Sequence, residues 1–105
     1  MVQVMARRKG KQQVIRLVRE LVRAGRYEFT RHAKQEMRED GLAVPDIRRI
    51  LLEGSLVRVQ TGNVRGPRYI LQGRTEDRWT VEAVCRFVQE EEGEIVLVIT
   101  VYVVE

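Results

Sequence analysis

Residues 79–104 read WTVEAVCRFVQEEEGEIVLVITVYVV, and this stretch decides the fold. Trp79, Val81, Ala83, Cys85 and Phe87 alternate with Thr80, Glu82, Val84, Arg86 and Val88, the two-residue period of a strand with one buried face. Beyond an acidic run, Ile95, Leu97, Ile99, Val101 and Val103 interleave with Val96, Val98, Thr100, Tyr102 and Val104 as a second strand. With Glu91-Glu92-Gly93 as a three-residue loop and Gly93 in the left-handed bulge position, Glu90 pairs with Glu94. Cys85 then faces Ile99 and Ala83 faces Val101, a wholly apolar surface for helices to cover, while Arg86, Glu82, Thr100 and Tyr102 fall on the other side.

Upstream of this hairpin, Leu56 to Gln60 and Pro67 to Arg74 read as two more strands, joined by a turn over Thr61 to Gly66; Thr75 to Arg78 is a second polar turn. Before them the period is helical. Gln12 to Ala24 sets Val14, Val18 and Leu21, with Leu17, Val22 and Ile15, on one broad apolar face and Arg16, Arg19, Glu20 and Arg23 on the other, and Gly25 ends it. Tyr27 to Phe29 is a short extended link. Thr30 supplies the cap of a second helix that Gly41 terminates. A third starts within Leu42 to Asp46, with Pro45 at its first position and Asp46 complementing the positive helix end. Its apolar stripe is Ile47, Ile50 and Leu51; Arg48 and Arg49 lie outside it, and Gly54 is the stop. The order predicts an α+β fold in which three N-terminal helices pack on a four-stranded antiparallel meander sheet. It spans 1–105 as one domain, with residues 1–11, which carry Arg7-Arg8-Lys9-Gly10-Lys11, as a mobile basic arm.

At 105 residues and 44% hydrophobic content the chain can bury one core without metals or disulfides. Its 19 basic residues against 15 acidic ones give a net charge of +4, which points to a polyanionic partner, the alternative being a solvated basic surface. The single cysteine, Cys85, excludes an internal disulfide and a cysteine-rich zinc site, and its strand context reads as a small buried hydrophobe. No apolar run is long enough to span a bilayer and no signal-peptide pattern opens the chain, so cytoplasmic residence without membrane attachment is the expectation. No Gly-rich phosphate loop, HExxH or paired-carboxylate motif is present, and neither a metal nor a cofactor is expected.

His32 is the only histidine. It stands between Arg31 and Lys34 in a first helical turn, where the macrodipole is already positive, so three basic residues sit against the usual rule. Such an end attracts an anion such as phosphate. Glu36, one turn on, favours the charged imidazole, whereas the helix end favours the neutral ring. The structural alternative is a histidine hydrogen-bonded at a helix start.

The combination Tyr27-x-Phe29-Thr30-x-His32-Ala33, Met37-Arg38-Glu39-x-Gly41, Pro45-Asp46-Ile47, Leu51-x-x-Gly54, Tyr69 with Gly73, and Ile99-Thr100-Val101-Tyr102 resembles a family of small bacterial and archaeal proteins filed as a domain of unknown function, of the 4258 type. That family is grouped with RelE-like and BrnT-like toxins of toxin–antitoxin pairs. The N-terminal helix lies outside the shared pattern, and Met37-Arg38 stands where the family has Arg-Met. The resemblance implies a RelE/barnase-like fold and a metal-independent endoribonuclease, acting on RNA, including ribosome-associated mRNA, and neutralised by a cognate antitoxin. Under it His32 handles the proton, Arg38 stabilises charge, and Tyr69, Thr100 and Tyr102 position the scissile group. Arg31, Lys34, Arg48, Arg49 and Arg68 contact RNA. Two other readings stay open: a non-catalytic RNA- or ribosome-binding module, and a protein-interaction domain that forms homodimers through an exposed Val84, Val88, Val96 and Val98 face.

Overall fold

The computed structural model describes residues 10–104, so most of the basic arm expected over 1–11 lies outside the described residues. Helix α1 (Lys11–Arg23) buries Val14, Val18 and Val22, spaced one turn apart on a single face. In α2 (Arg31–Glu39) the Thr30 side chain accepts the Ala33 N–H at 3.1 Å, and the inward residues are Ala33 and Met37. In α3 (Val44–Glu53) the Asp46 carboxylate reaches back to the Ala43 N–H at 2.8 Å, and Ile47, Ile50 and Leu51 point to the core.

Five strands follow the order β1-β5-β4-β3-β2: β1 (Tyr27–Phe29), β2 (Ser55–Gln60), β3 (Arg68–Arg74), β4 (Thr80–Glu90) and β5 (Gly93–Val104). The four-stranded meander is thereby corrected to a five-stranded mixed sheet, because Tyr27–Phe29 is a strand running parallel to β5, with Glu28 opposite Leu97. Three residues are too few to show a period, and the pairing bridges nearly 70 positions of sequence that no local pattern records. Arg26 fixes it in place: its Nε donates to the Glu94 carbonyl at 2.9 Å and its Nη2 to the Gly93 carbonyl at 3.0 Å. One face of the sheet meets α1 and α3 through a core of Leu71, Val81, Ala83, Cys85, Val98 and Val101.

The β4–β5 hairpin also departs from its expected register. Glu90 pairs with Gly93 instead of Glu94, so the turn is one residue shorter and Cys85 lies opposite Val98. Ile99 is then left over as a bulge, after which Ala83 faces Val101 as expected. Because a one-residue offset exchanges faces, Val96 and Val98 turn into the core at 0% exposure, and Ile95 and Leu97 turn outward. The exposed Val84, Val88, Val96 and Val98 surface expected for self-association therefore does not form. Thr100 and Tyr102 keep the outer face, where Ile70, Val84 and Ile95 are buried apart from the main core cluster.

Gly54 ends α3 as expected. Its backbone is extended, at φ −75° and ψ 172°. A Cβ there would lie 2.5 Å from the Ile50 carbonyl oxygen and 2.6 Å from that of Gln72, so glycine is required by the close approach of α3 to β3.

Candidate functional site

Past the end of β1, the outer edge of β5 carries backbone groups with no strand beside them, and α2 satisfies them. Val98 O accepts the Thr30 N–H at 3.0 Å, and the carbonyl of the bulged Ile99 accepts the Thr30 hydroxyl at 2.9 Å. One turn along, Glu36 Oε1 accepts both the Thr100 hydroxyl at 2.6 Å and the Val101 N–H at 2.9 Å. Its second oxygen lies 3.2 Å from His32 Nε2. Glu36 is thus fixed by two bonds from the sheet and presents its remaining oxygen to the imidazole. The ring itself is 67% exposed, against 23% for the carboxylate. A ring that donates Nε2–H to Glu36 turns its Nδ1 lone pair away from that carboxylate.

Glu36 therefore links Thr100 on β5 to His32 on α2. The other expected site residues divide. Arg31, Lys34 and Arg38 are exposed on α2, but at about 100° per residue Arg38 is rotated roughly 120° around the helix from His32, and Lys34 farther. Tyr69 lies on the core face, opposite Cys85 and with its ring 5.5 Å from that of Phe87, so the sheet separates it from Thr100. Arg48 and Arg49 belong to the helix layer behind the sheet, where Arg49 Nε is 3.3 Å from Glu53. Arg68, paired with Gln60, is half-buried on the outer face.

Tyr102 enters a second cluster on that outer face. Its hydroxyl donates to Glu82 Oε1 at 2.6 Å and accepts from Arg58 at 3.0 Å. Arg58 also donates to Glu82 Oε1 at 2.5 Å, and Gln72 to Oε2 at 2.8 Å. The register puts Gln72 opposite Glu82 and Glu82 opposite Tyr102, so a polar row crosses three strands, and Thr100, bonded to Glu36, lies two residues before Tyr102 on the same face of β5. Arg58, Gln72 and Glu82 were not among the expected site residues. The available signal was a glutamate and a glutamine at matching places on neighbouring strands, legible only once the register is known.

Glu82 is 3% exposed. Burial alone would push its carboxyl up, but hydrogen bonds from Arg58, Tyr102 and Gln72 and the Arg58 charge together hold it below the ordinary carboxylate value. Tyr102 is pushed up, first by donating to Glu82 and then by burial, so its phenol stays protonated at neutral pH. Burial raises the Cys85 thiol to about 12, which removes it as a nucleophile. For Glu82 the linkage sign follows directly. A carboxyl with a lowered folded value adds stability above its unfolded value of about 4.3 and loses that contribution as pH falls through the folded one. Denaturation midpoints of the wild type should therefore drop more steeply below about pH 4.3 than those of Glu82→Gln, which has no such proton to take up. Parallel curves would show that Glu82 is not held ionised by its partners.

Among the described residues no group of three or more histidine, cysteine, aspartate or glutamate side chains converges as a metal site, and no helix is long and apolar enough to cross a membrane. The model of the family described as domain of unknown function (DUF4258) matches residues 29–103, from the end of β1 through β5. No curated protein and no solved structure matches the chain.

Proposed function

The chain belongs to the family of the domain of unknown function DUF4258, and on that premise we propose that it is a metal-independent endoribonuclease, the toxin of a toxin–antitoxin pair, with His32 as its proton-transfer group. The observation that carries this reading is the exposed imidazole held by a carboxylate that the sheet itself immobilises. An imidazole needed only to cap a helix would not need its partner anchored twice.

In the proposed reaction the ribose 2′-oxygen attacks the adjacent phosphorus. The O2′–P bond forms, the P–O5′ bond breaks, and the 2′-hydroxyl proton passes to Nδ1 of His32, whose positive charge Glu36 stabilises. The 5′-oxygen leaves and takes a proton from solvent, and the other product carries a 2′,3′-cyclic phosphate. Negative charge on the phosphorane meets the Arg31 and His32 amides at the start of α2, the Ala33 N–H being taken by the Thr30 cap, and the Arg31 side chain at the same helix end. Arg58, Arg68, Thr100 and Tyr102 line the outer face over which the RNA strand extends.

The test is incubation of purified protein with single-stranded RNA in EDTA. Shortened RNA ending in 2′,3′-cyclic phosphate is the expected product, and growth arrest on induction in a bacterial host should accompany it. Intact RNA at saturating protein would refute cleavage. A second reading, an RNA-binding module without catalysis, is favoured by the rotation of Lys34 and Arg38 away from His32. It predicts retention of RNA with no new ends.

Glu36→Gln separates the structural from the chemical role of this carboxylate. Glutamine can keep its oxygen toward Thr100 and Val101 but then turns an NH2 group toward His32 Nε2–H, so the donor arrangement of the ring is lost. Stability should change by less than about 1.5 kcal/mol, whereas the cleavage rate should fall at least about tenfold. An unchanged rate would mean that Glu36 serves only the edge of β5.

A further inference from the structure

At the far side of the sheet from His32, β2 is an edge strand bonded only to β3, and five of its six residues are exposed. At its first residues, Ser55 and Leu56, β2 borders a groove of about 750 Å³ shared with α1. Ile15 and Leu56 supply its apolar lining; Arg16, Arg19 and Arg23 project from α1 along it. Arg19 spans the gap with Nη2 3.5 Å from the Gly54 carbonyl, yet its Nε is buried with no acceptor among the described residues. Of the two acidic residues on the rim, Glu53 is already paired with Arg49. The balance of charge in the groove is therefore positive, and one buried N–H lacks a partner.

We infer that this groove takes an acidic segment of another protein in extended form, added to β2 as a sixth strand. Strand addition satisfies the outward backbone groups of β2, and the two-residue period of the added segment turns every second side chain toward α1, where carboxylates meet Arg16, Arg19 and Arg23. A carboxylate of the added segment would pair with the Arg19 guanidinium through its Nη2, which otherwise makes a long contact of 3.5 Å to the Gly54 carbonyl. A second copy of this chain is a poor occupant. Pairing β2 with itself antiparallel brings two Arg58 residues and two sets of α1 arginines together. This inference does not depend on RNA cleavage, since none of the groove residues belongs to the His32 site.

The test uses the full chain with a short synthetic peptide of alternating glutamate and valine, and with its lysine-for-glutamate counterpart. Amide hydrogen exchange read by NMR should slow within Ser55–Gln60 on adding the acidic peptide and not on adding the basic one. Arg19→Met should weaken the acidic peptide's binding about tenfold. Arg16→Glu with Arg23→Glu, both at exposed positions that leave folding intact, should weaken it in the same direction. The inference is overturned if the acidic peptide leaves those amides unchanged, if the basic peptide protects them equally, or if the Arg19 and charge-reversal variants bind as the wild type does. Protection by single-stranded RNA in place of the peptide, or protection that grows with protein concentration alone, would assign the groove to nucleic acid or to a second copy and overturn it as well.

Discussion

His32→Ala should leave a folded protein that no longer cleaves RNA. The ring is two-thirds exposed and its recorded polar contact is the one to Glu36, so removing it should shift stability by no more than about 0.5 kcal/mol. Glu36 keeps its bonds from Thr100 and Val101 in the variant, and β5 retains its edge. Loss of a positioned general base, by contrast, lowers a rate by about 10²- to 10⁴-fold. Single-turnover cleavage at saturating protein, alongside thermal denaturation, reads both quantities. A variant that cuts RNA at the wild-type rate removes the imidazole from the mechanism, and one that fails to fold makes it structural.

The largest effect on stability is expected far from that site. Gly54→Ala places a methyl group against two backbone carbonyl oxygens, at 2.5 and 2.6 Å, where the end of α3 crosses β3. Neither oxygen belongs to a flexible side chain, so helix and strand must separate, and a loss of about 3 kcal/mol follows from the strain and the lost packing. Gly25→Ala is the control: the residue has φ +76° but nothing within 4 Å of the added carbon, and the cost is confined to about 1 kcal/mol for the left-handed backbone. Denaturant titration of the two variants separates close approach from conformational freedom. Equal losses would show that the α3–β3 contact is looser than described.

Much of the fold was legible in the sequence because its signals are local. The i, i+4, i+8 valines of α1, the Thr30 cap with Gly41 and the stripe of Ile47, Ile50 and Leu51 each follow from neighbours within one or two turns. Non-local features were hidden. The parallel strand Tyr27–Phe29 is defined by a partner across the chain, and the Ile99 bulge by burial of Val96 and Val98 against helices that a strand pattern does not contain. Thr100 was expected on the outer face and lies there, yet it reaches Glu36 because α2 wraps over the edge of β5, a placement no periodicity encodes. Tyr69 shows the converse: an aromatic in a strand gives no hint of its face until its partner, Cys85, is known.

The account rests on a single imidazole oriented by Glu36 and open to RNA, and the chain's only histidine makes it directly observable. Long-range ¹⁵N–¹H NMR of the ring, recorded neutral and then with a 2′-O-methyl RNA that cannot be cleaved, measures both properties. The proposal predicts the Nε2–H tautomer in the free protein and a displaced Nδ1 resonance once RNA is added. An Nδ1–H tautomer, or a ring whose signals ignore saturating RNA, would contradict it.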